Sequence, residues 1–328
     1  MYKQDLAIGQ YAVIEAMRIC RTIQAELTHG ETITKADKSP VTIADFASQA
    51  VVCRILNTYF PDTPIVGEEC SAALQKKEHQ AILNKILYYL KKDAAIDCII
   101  NKENLFSSID LGCQLPAHTK FWALDPIDGT KGFLRGEQFA VALALIVEGQ
   151  VEVGILGCPN LEVPGQTSTQ GYILTALKGG KTYLINVDNL FSQRVHVSSI
   201  TDPTKMRFVE SYVSAHSHME MQLHISKLLK MEQRPVQMDS QVKYAIVAGG
   251  NAEIYLRIPH PETPDYKEKI WDHAAGSLIV EEAGGIVTDV DGHKLDFTTG
   301  TTLTKNRGIF ASIPAVHDRI LQIIKELG

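Results

Sequence analysis

The second half of this 328-residue chain contains no cysteine. All six, Cys20, Cys53, Cys70, Cys98, Cys113 and Cys158, precede it, and none stands in a C-x-x-C pair. That spacing excludes a cysteine-stapled secreted scaffold and a paired-thiol zinc site; it predicts buried, reduced thiols in a cytoplasmic protein. Basic blocks are also missing, and 32 basic against 38 acidic side chains leave a net charge of -6. Polymeric nucleic acid is therefore not an expected partner. No apolar run reaches the roughly 20 residues that span a membrane. Met1-Tyr2-Lys3-Gln4-Asp5 enters an amphipathic pattern directly, with neither an apolar signal core nor an Arg/Ser-rich leader. Internal repeats and low-complexity tracts are absent as well.

What remains is a globular composition, 45% hydrophobic, long enough for one large or two ordinary domains. The chain is organised around Trp122-Ala123-Leu124-Asp125-Pro126-Ile127-Asp128-Gly129-Thr130-Lys131-Gly132-Phe133. Phe121 to Leu124 reads as a short buried strand that stops at Asp125-Pro126, because proline has no N–H for a ladder. Asp125 and Asp128 then sit on one tight turn and repel each other unless a cation lies between them. A divalent metal is the simplest counter-charge. The N–H groups of Gly129 and Thr130, opening a helix, would form an anion site beside it. A plain Asp-Pro/Asp-Gly turn is the alternative for this stretch alone.

Around that centre, apolar spacing predicts a first helix from Leu6 to about Leu27 and a second from Val41-Thr42-Ile43-Ala44-Asp45 to about Tyr59. Thr42 and Asp45 have capping-box spacing, so Asp45 reads either as a cap or as a proton acceptor near the metal. Thr63 to Glu69 reads as a short strand ending in two acids. Alternation lets one of them face a given metal; Glu68 is the choice, with Glu69 helping to orient the site. Ala72 to Lys92 reads as an amphipathic surface helix, while 93–119 resists assignment. Phe139 to Val147 with Val151 to Leu156, then Tyr172 to Leu177 with Thr182 to Val187, form two hairpins of an antiparallel sheet.

A composition change at 198–203 suggests a boundary. It divides an N-terminal α+β domain, 1–200, carrying most metal ligands, from a smaller C-terminal α/β domain, 201–328. The second part reads as strand Phe208 to Val213, helix Ser217 to Met231, helix Val242 to Ala248 and strand Ala252 to Ile258. Helix Asp272 to Ala283, strand Ile286 to Val290, and a strand and helix from Ile309 follow. Asp272 is either the N-cap of its helix or a further metal carboxylate. His273 has no second histidine at zinc-site spacing and reads as structural.

Four segments, Val41 to Asp45, Gly67-Glu68-Glu69, Asp125 to Thr130 and Trp271-Asp272-His273-Ala274-Ala275-Gly276, together resemble the inositol monophosphatase superfamily of Mg²⁺-dependent, lithium-sensitive phosphatases. That resemblance spans nearly the whole chain and implies a layered α-β-α-β-α sandwich of the inositol monophosphatase/fructose-1,6-bisphosphatase type. Thr130 to Gln138, Asp239 to Tyr244, Tyr255-Leu256-Arg257 and Lys269 to His273 are similar to its 3′(2′),5′-bisphosphate nucleotidase branch. The chain departs from the family at Cys113 to His118, where a glycine-rich loop would be expected, and at Gly165 to Tyr172.

The resemblance implies that Glu68, Asp125, Asp128, Asp272 and the Ile127 carbonyl hold two or three Mg²⁺ ions. Asp45 and Thr130 would activate the attacking water, Gly129 and Thr130 would hold phosphate oxygens, and His216, Ser240, Lys243 and Arg257 would line a nucleotide pocket. The alternatives for that pocket are ordinary ones: surface cations for Lys243 and Arg257, a helix cap for Ser240, a polar loop with His218 for His216. The implied substrate is the small molecule adenosine 3′,5′-bisphosphate, cleaved by a monomer without membrane contact. An inositol phosphate is the rival substrate, and a non-catalytic sensor of a phosphorylated metabolite the rival class.

Overall fold

A computed structural model describes residues 1–26, 32–34, 40–92, 101–116, 119–212, 219–260, 262–263 and 265–327. The chain begins with α1 (Lys3–Glu26), a short ribbon of β1 (Thr32–Thr34) and β2 (Pro40–Thr42), then α2 (Ile43–Tyr59) and β3 (Ile65–Gly67). Next come α3 (Gln80–Lys92), α4 (Lys102–Asp110), β4 (Lys120–Asp128) and the single turn α5 (Thr130–Leu134). Four strands follow: β5 (Ala140–Val147), β6 (Gln150–Cys158), β7 (Tyr172–Leu177) and β8 (Thr182–Asn186), with a short edge strand β9 (Ser192–Arg194). The remainder comprises β10 (Phe208–Glu210), α6 (Met219–Leu228), β11 (Val236–Gln237), α7 (Val242–Ala248) and β12 (Ile254–Arg257). It ends with α8 (Ala274–Glu282), β13 (Ile286–Thr288), β14 (Ile309–Ser312) and α9 (His317–Leu327).

Strands β3 to β9 form a seven-stranded sheet in chain order, parallel only at β3–β4. A five-stranded sheet has the order β11-β10-β12-β14-β13. Strand alternation gives the larger sheet two apolar faces. Trp122, Leu124, Leu143 and Ile155 pack with Met17, Phe46 and Leu56 of α1 and α2. On the other face, Ala123, Ala142 and Leu156 pack with Tyr244 of α7 and Leu278 of α8, which also meet Tyr255 and Ala311 of the second sheet. The outer face of that second sheet, through Phe208, Leu256 and Phe310, is closed by Ile225 of α6 and by Ile320 and Ile324 of α9. The result is an α-β-α-β-α layered α/β fold, with α7 and α8 held between the sheets.

Three local expectations need correction. The central strand does not stop at Asp125-Pro126; β4 runs through to Asp128. Its register with β5 shifts between Asp125 and Asp128, so Pro126 falls in a bulge where its missing N–H costs no ladder bond. The expected helix from Ala72 begins only at Gln80, after two single 3₁₀ turns at Ser71–Ala73 and Lys77–His79. Cys70 and Cys113 are not reduced thiols but a disulfide, with Cα atoms 5.8 Å apart. The Gly67 N–H donates to the Gly112 carbonyl at 2.7 Å, and Val66 bridges to Cys113, so the segment after α4 lies beside β3. That tertiary pairing brings together two cysteines 43 residues apart. Cys20, Cys53 and Cys158 are buried free thiols as expected; Cys98 lies outside the described residues.

Candidate active site

Two structural devices deliver the central motif. The bulge turns the end of β4, and Gly129, at φ +87°, occupies the left-handed region that a side chain resists, as N-cap of α5. Helix α2 faces this turn from below with two side chains one helical turn apart. The Ser48 hydroxyl donates to the Pro126 carbonyl at 2.8 Å. Asp45, 1% exposed, uses Oδ2 to accept from the Thr42 N–H at 2.8 Å and the Thr42 hydroxyl at 2.6 Å. The other oxygen, Oδ1, lies 3.5 Å from the Thr130 hydroxyl, which also lies 3.3 Å from the Ile127 carbonyl. Asp45 is thus a capping-box residue and a neighbour of Thr130 at once.

Glu68 follows β3, which pairs with β4 so that Gly67 sits beside Leu124. The next residue, Glu69, is clamped through its backbone by buried Gln49 of α2: Gln49 Nε2 donates to the Glu69 carbonyl at 2.5 Å and the Glu69 N–H returns a bond to Gln49 Oε1 at 3.0 Å. Asp272 comes from the other side, directly before α8. It is not the cap of that helix: His273 holds the N-cap position. The Asp272 carboxylate is therefore not spent on helix capping.

Electrostatics tie these acids into one cluster. Asp125 is pushed well above the ordinary carboxylate range by burial and then by the charges of Glu68, Asp128, Asp272 and Asp45. Asp272 is raised by burial and by Asp128 and Glu68, with Arg257 opposing. Burial also raises Asp128, against Lys243, the Gln241 N–H, His273 and Arg257. A partly buried, all-oxygen set with this excess of negative charge fits a hard divalent cation. Among the described residues, the groups of three ligand-type side chains whose atoms all lie within 4.8 Å of one another are Glu268, Asp272 and His273, which shares Asp272 with the predicted set, and Asp289, Asp291 and His293.

The expected pocket cations are not surface residues. Lys243 in α7 is 6% exposed; its Nζ donates to Ser211 Oγ at 3.1 Å and stands 5.4 Å from the Tyr255 ring centre. Burial pushes its pKa down to about 8. Arg257, at the end of β12, is held by Glu268 at 2.8 Å. Ser240 adopts a left-handed backbone, φ +64°, and its hydroxyl accepts from the Val242 N–H at 3.2 Å, as a cap would. His216 and His218 lie outside the described residues, as do Ala117 and His118. His273 is structural in the expected sense, buried and bonded at both ring nitrogens, to Tyr244 and to Glu268.

Sequence reasoning passed over Gln241 and Glu268. The Gln241 N–H donates to Asp128 Oδ2 at 2.5 Å and its Nε2 donates to the Trp271 carbonyl at 2.9 Å, joining the central motif to the segment that carries Asp272. Its neighbours Ser240 and Lys243 were legible; a glutamine acting through its backbone left no signal. Glu268 sits in Tyr266-Lys267-Glu268-Lys269, which has the composition of a solvated loop.

The layered α/β fold brings Asp125 and Asp128, at the end of β4, within electrostatic reach of Asp272 ahead of α8. The chain belongs to the inositol monophosphatase family, which it matches over residues 2–328. That family is metal-dependent, and the acidic clusters here could bind metal. A 3′(2′),5′-bisphosphate nucleotidase from Oryza sativa is 38% identical, the match covering 99% of this chain and 94% of that protein. One from Dictyostelium discoideum is 40% identical, covering 96% and 94%. Among solved structures, the extragenic suppressor protein suhB from Bartonella henselae superposes with a TM-score of 0.69 at 18% identity, covering 99% of each chain. The Thermotoga maritima IMPase gives 0.67 at 20%, covering 100% and 98%. At those identities the structures speak for the fold alone. No helix among the described residues is long and apolar enough to cross a membrane.

Proposed function

We propose that this chain is a Mg²⁺-dependent 3′(2′),5′-bisphosphate nucleotidase that hydrolyses the 3′-phosphate of 3′-phosphoadenosine 5′-phosphate to AMP and phosphate, acting as a monomer. The observation that carries the reading is the meeting of Thr130 and Asp45 beside the Asp125-centred carboxylate cluster, in a chain whose full-length relatives at 36–40% identity carry that enzyme name.

Glu68, Asp125, Asp128, Asp272 and the Ile127 carbonyl would hold two or three Mg²⁺ ions, which supply counter-charge and acidify the attacking water. The protein's own part is positional. Asp45 accepts a proton by way of the Thr130 hydroxyl, and the Gly129 and Thr130 N–H groups meet phosphate oxygens as charge redistributes. Water adds to phosphorus while the bond to the 3′-oxygen breaks, and that oxygen leaves as a hydroxyl after taking up a proton. Lys243, Arg257, Ser240 and His216 receive the nucleotide. Within this reading 1–200 and 201–328 act as two domains, the first supplying most ligands and the second Asp272 and the pocket.

The test is phosphate release with Mg²⁺, with and without EDTA, from 3′-phosphoadenosine 5′-phosphate, 3′-phosphoadenylyl sulfate, inositol 1-phosphate and inositol 1,4-bisphosphate. EDTA-sensitive turnover preferring the adenosine compounds is the expected result. Preference for an inositol phosphate would overturn the nucleotide roles of Ser240, Lys243 and Arg257. Absence of turnover would overturn the enzyme reading.

A further inference from the structure

Glu268 belongs to none of the recognised motifs, is 4% exposed, and has both oxygens engaged. Oε1 accepts from Arg257 Nε at 2.8 Å, and Oε2 lies 3.1 Å from His273 Nε2. His273 Nδ1 in turn lies 2.9 Å from the Tyr244 hydroxyl. One arrangement of protons satisfies the whole row: Arg257 Nε–H and His273 Nε2–H donate to the carboxylate, and Tyr244 O–H donates to Nδ1. The residues at its ends matter. Arg257 closes β12; Tyr244 lies in α7, one residue beyond Lys243 and three beyond Gln241, whose N–H holds Asp128. His273 directly follows Asp272. Gly276 of α8 packs under the Tyr244 ring so tightly that a Cβ there would stand 2.2 Å from it, which pins the row against the helix that Asp272 precedes.

A guanidinium gripped at Nε still presents its two terminal amino groups as a planar fork for an anion. The Tyr266 ring, 5.9 Å from the Arg257 guanidinium carbon, backs that fork. We infer that Glu268 is a positioning residue of the reaction: it sets the Arg257 fork toward an anionic group of the substrate and, through His273, fixes the backbone that presents Asp272. The inference rests on the proposed reading, in which Arg257 faces the nucleotide. A purely structural ion pair would stabilise the fold without linking substrate affinity to metal affinity.

The experiment is steady-state kinetics on the full chain with 3′-phosphoadenosine 5′-phosphate, varying Mg²⁺, for Arg257→Ala, Arg257→Lys, Glu268→Gln and the Arg257→Ala/Glu268→Gln pair. A glutamine can turn its carbonyl to one partner only, and its NH₂ then opposes the other donor. Arg257→Ala should raise KM about tenfold or more, the range of one lost charge-assisted contact. Glu268→Gln should raise KM about fivefold or more and also raise the half-saturating Mg²⁺, while the double variant should be no worse in KM than Arg257→Ala. Additive effects on KM, or a Glu268→Gln enzyme within about twofold of the parent in both quantities while Arg257→Ala is impaired, would overturn the inference and leave the nucleotide reading standing. An unaltered KM in Arg257→Ala would remove Arg257 from the pocket and the inference with it. Should Glu268→Gln not fold, Arg257→Lys decides: it keeps the charge but not the fork, so it should match Arg257→Ala, and parental KM would overturn the proposal.

Discussion

Gly129 and Ser240 touch so closely that a Cβ on Gly129 would stand 2.7 Å from the Ser240 Cβ, and both residues have left-handed backbones. A second contact reinforces the first. A Cβ on Gly132 would stand 2.3 Å from the Gln138 carbonyl oxygen and 3.1 Å from Asp239 Oδ2, and Arg135 pairs with that same aspartate. The loop that carries the predicted metal ligands and the loop that carries the predicted nucleotide contacts are therefore fitted to each other.

Replacing Gly129 by alanine meets two obstacles, the positive φ and the Ser240 side chain. The expected cost is about 1–3 kcal/mol of stability, with kcat/KM falling at least tenfold because Thr130 moves with the turn. Ser240→Gly in the same chain removes the clashing Cβ and relaxes its own backbone, so the double variant should regain part of the stability. Denaturant unfolding of the two single variants and the pair checks this.

Asp45 carries a cap and a proposed proton-accepting role, and the two can be separated. Asp45→Ala should lower turnover by about a hundredfold or more and stability by about 0.5–2 kcal/mol. Thr42→Ala removes the capping hydroxyl while leaving the carboxylate beside Thr130; it should cost similar stability and far less rate. Equal losses of rate in both variants would contradict the division.

Most of this architecture was readable because its signals are local. Periodicity located α2, α7 and the β5–β6 hairpin to within a residue or two, and the apolar run Phe121 to Leu124 gave the buried centre of the larger sheet. The errors fell where tertiary structure overrides a local rule. Pro126 ends an isolated strand, yet a bulge accommodates it. Cys70 and Cys113 look unpaired until β3 and the segment after α4 are laid side by side. Glu268 shows the same limit in the site: a charged residue in a charged loop reads as solvated, and only the packed structure reveals it buried.

The buried position of Lys243 predicts a pH dependence. With a pKa near 8, its amine is charged at pH 7 and neutral at pH 9.5. kcat/KM for the bisphosphate, which reports groups in the free enzyme, should therefore fall as pH rises above 8. Lys243→Arg, which stays charged, should abolish that fall. The sign for stability is opposite: the unfolded chain binds the proton up to 10.5, so the contribution of this group is fullest above 10.5 and is lost as pH falls through 8. Parallel pH profiles of rate and of urea unfolding separate the two effects.

The disulfide makes a countable prediction. Under denaturing, non-reducing conditions four of the six cysteines should react with a thiol reagent, and all six after reduction. A cross-link closing a loop of this length is worth roughly 4 kcal/mol by loop entropy, so Cys113→Ser should unfold at lower denaturant and lose its sensitivity to reductant. Because Cys70 follows Glu68 by two residues, the same variant should also raise the half-saturating Mg²⁺. Six reactive thiols in the unreduced protein would contradict the pairing.

The strain in the carboxylate cluster should be measurable in the metal-free protein. Asp125 has a folded-state pKa well above its usual 3.8, so its contribution to stability is complete below 3.8 and is lost as pH rises through the raised value. Ionising this group costs stability that a bound cation would offset. Asp125→Asn keeps the shape and deletes the charge. In EDTA at pH 7.5 it should melt roughly 2 °C or more above the parent, while Mg²⁺ stabilises the parent and leaves the variant unmoved. Turnover should fall by a hundredfold or more in the same variant, the trade expected when a site is built for function against the stability of its own fold. A variant that melts below the parent in EDTA, or that Mg²⁺ still stabilises fully, would mean that Asp125 is not the focus of the repulsion.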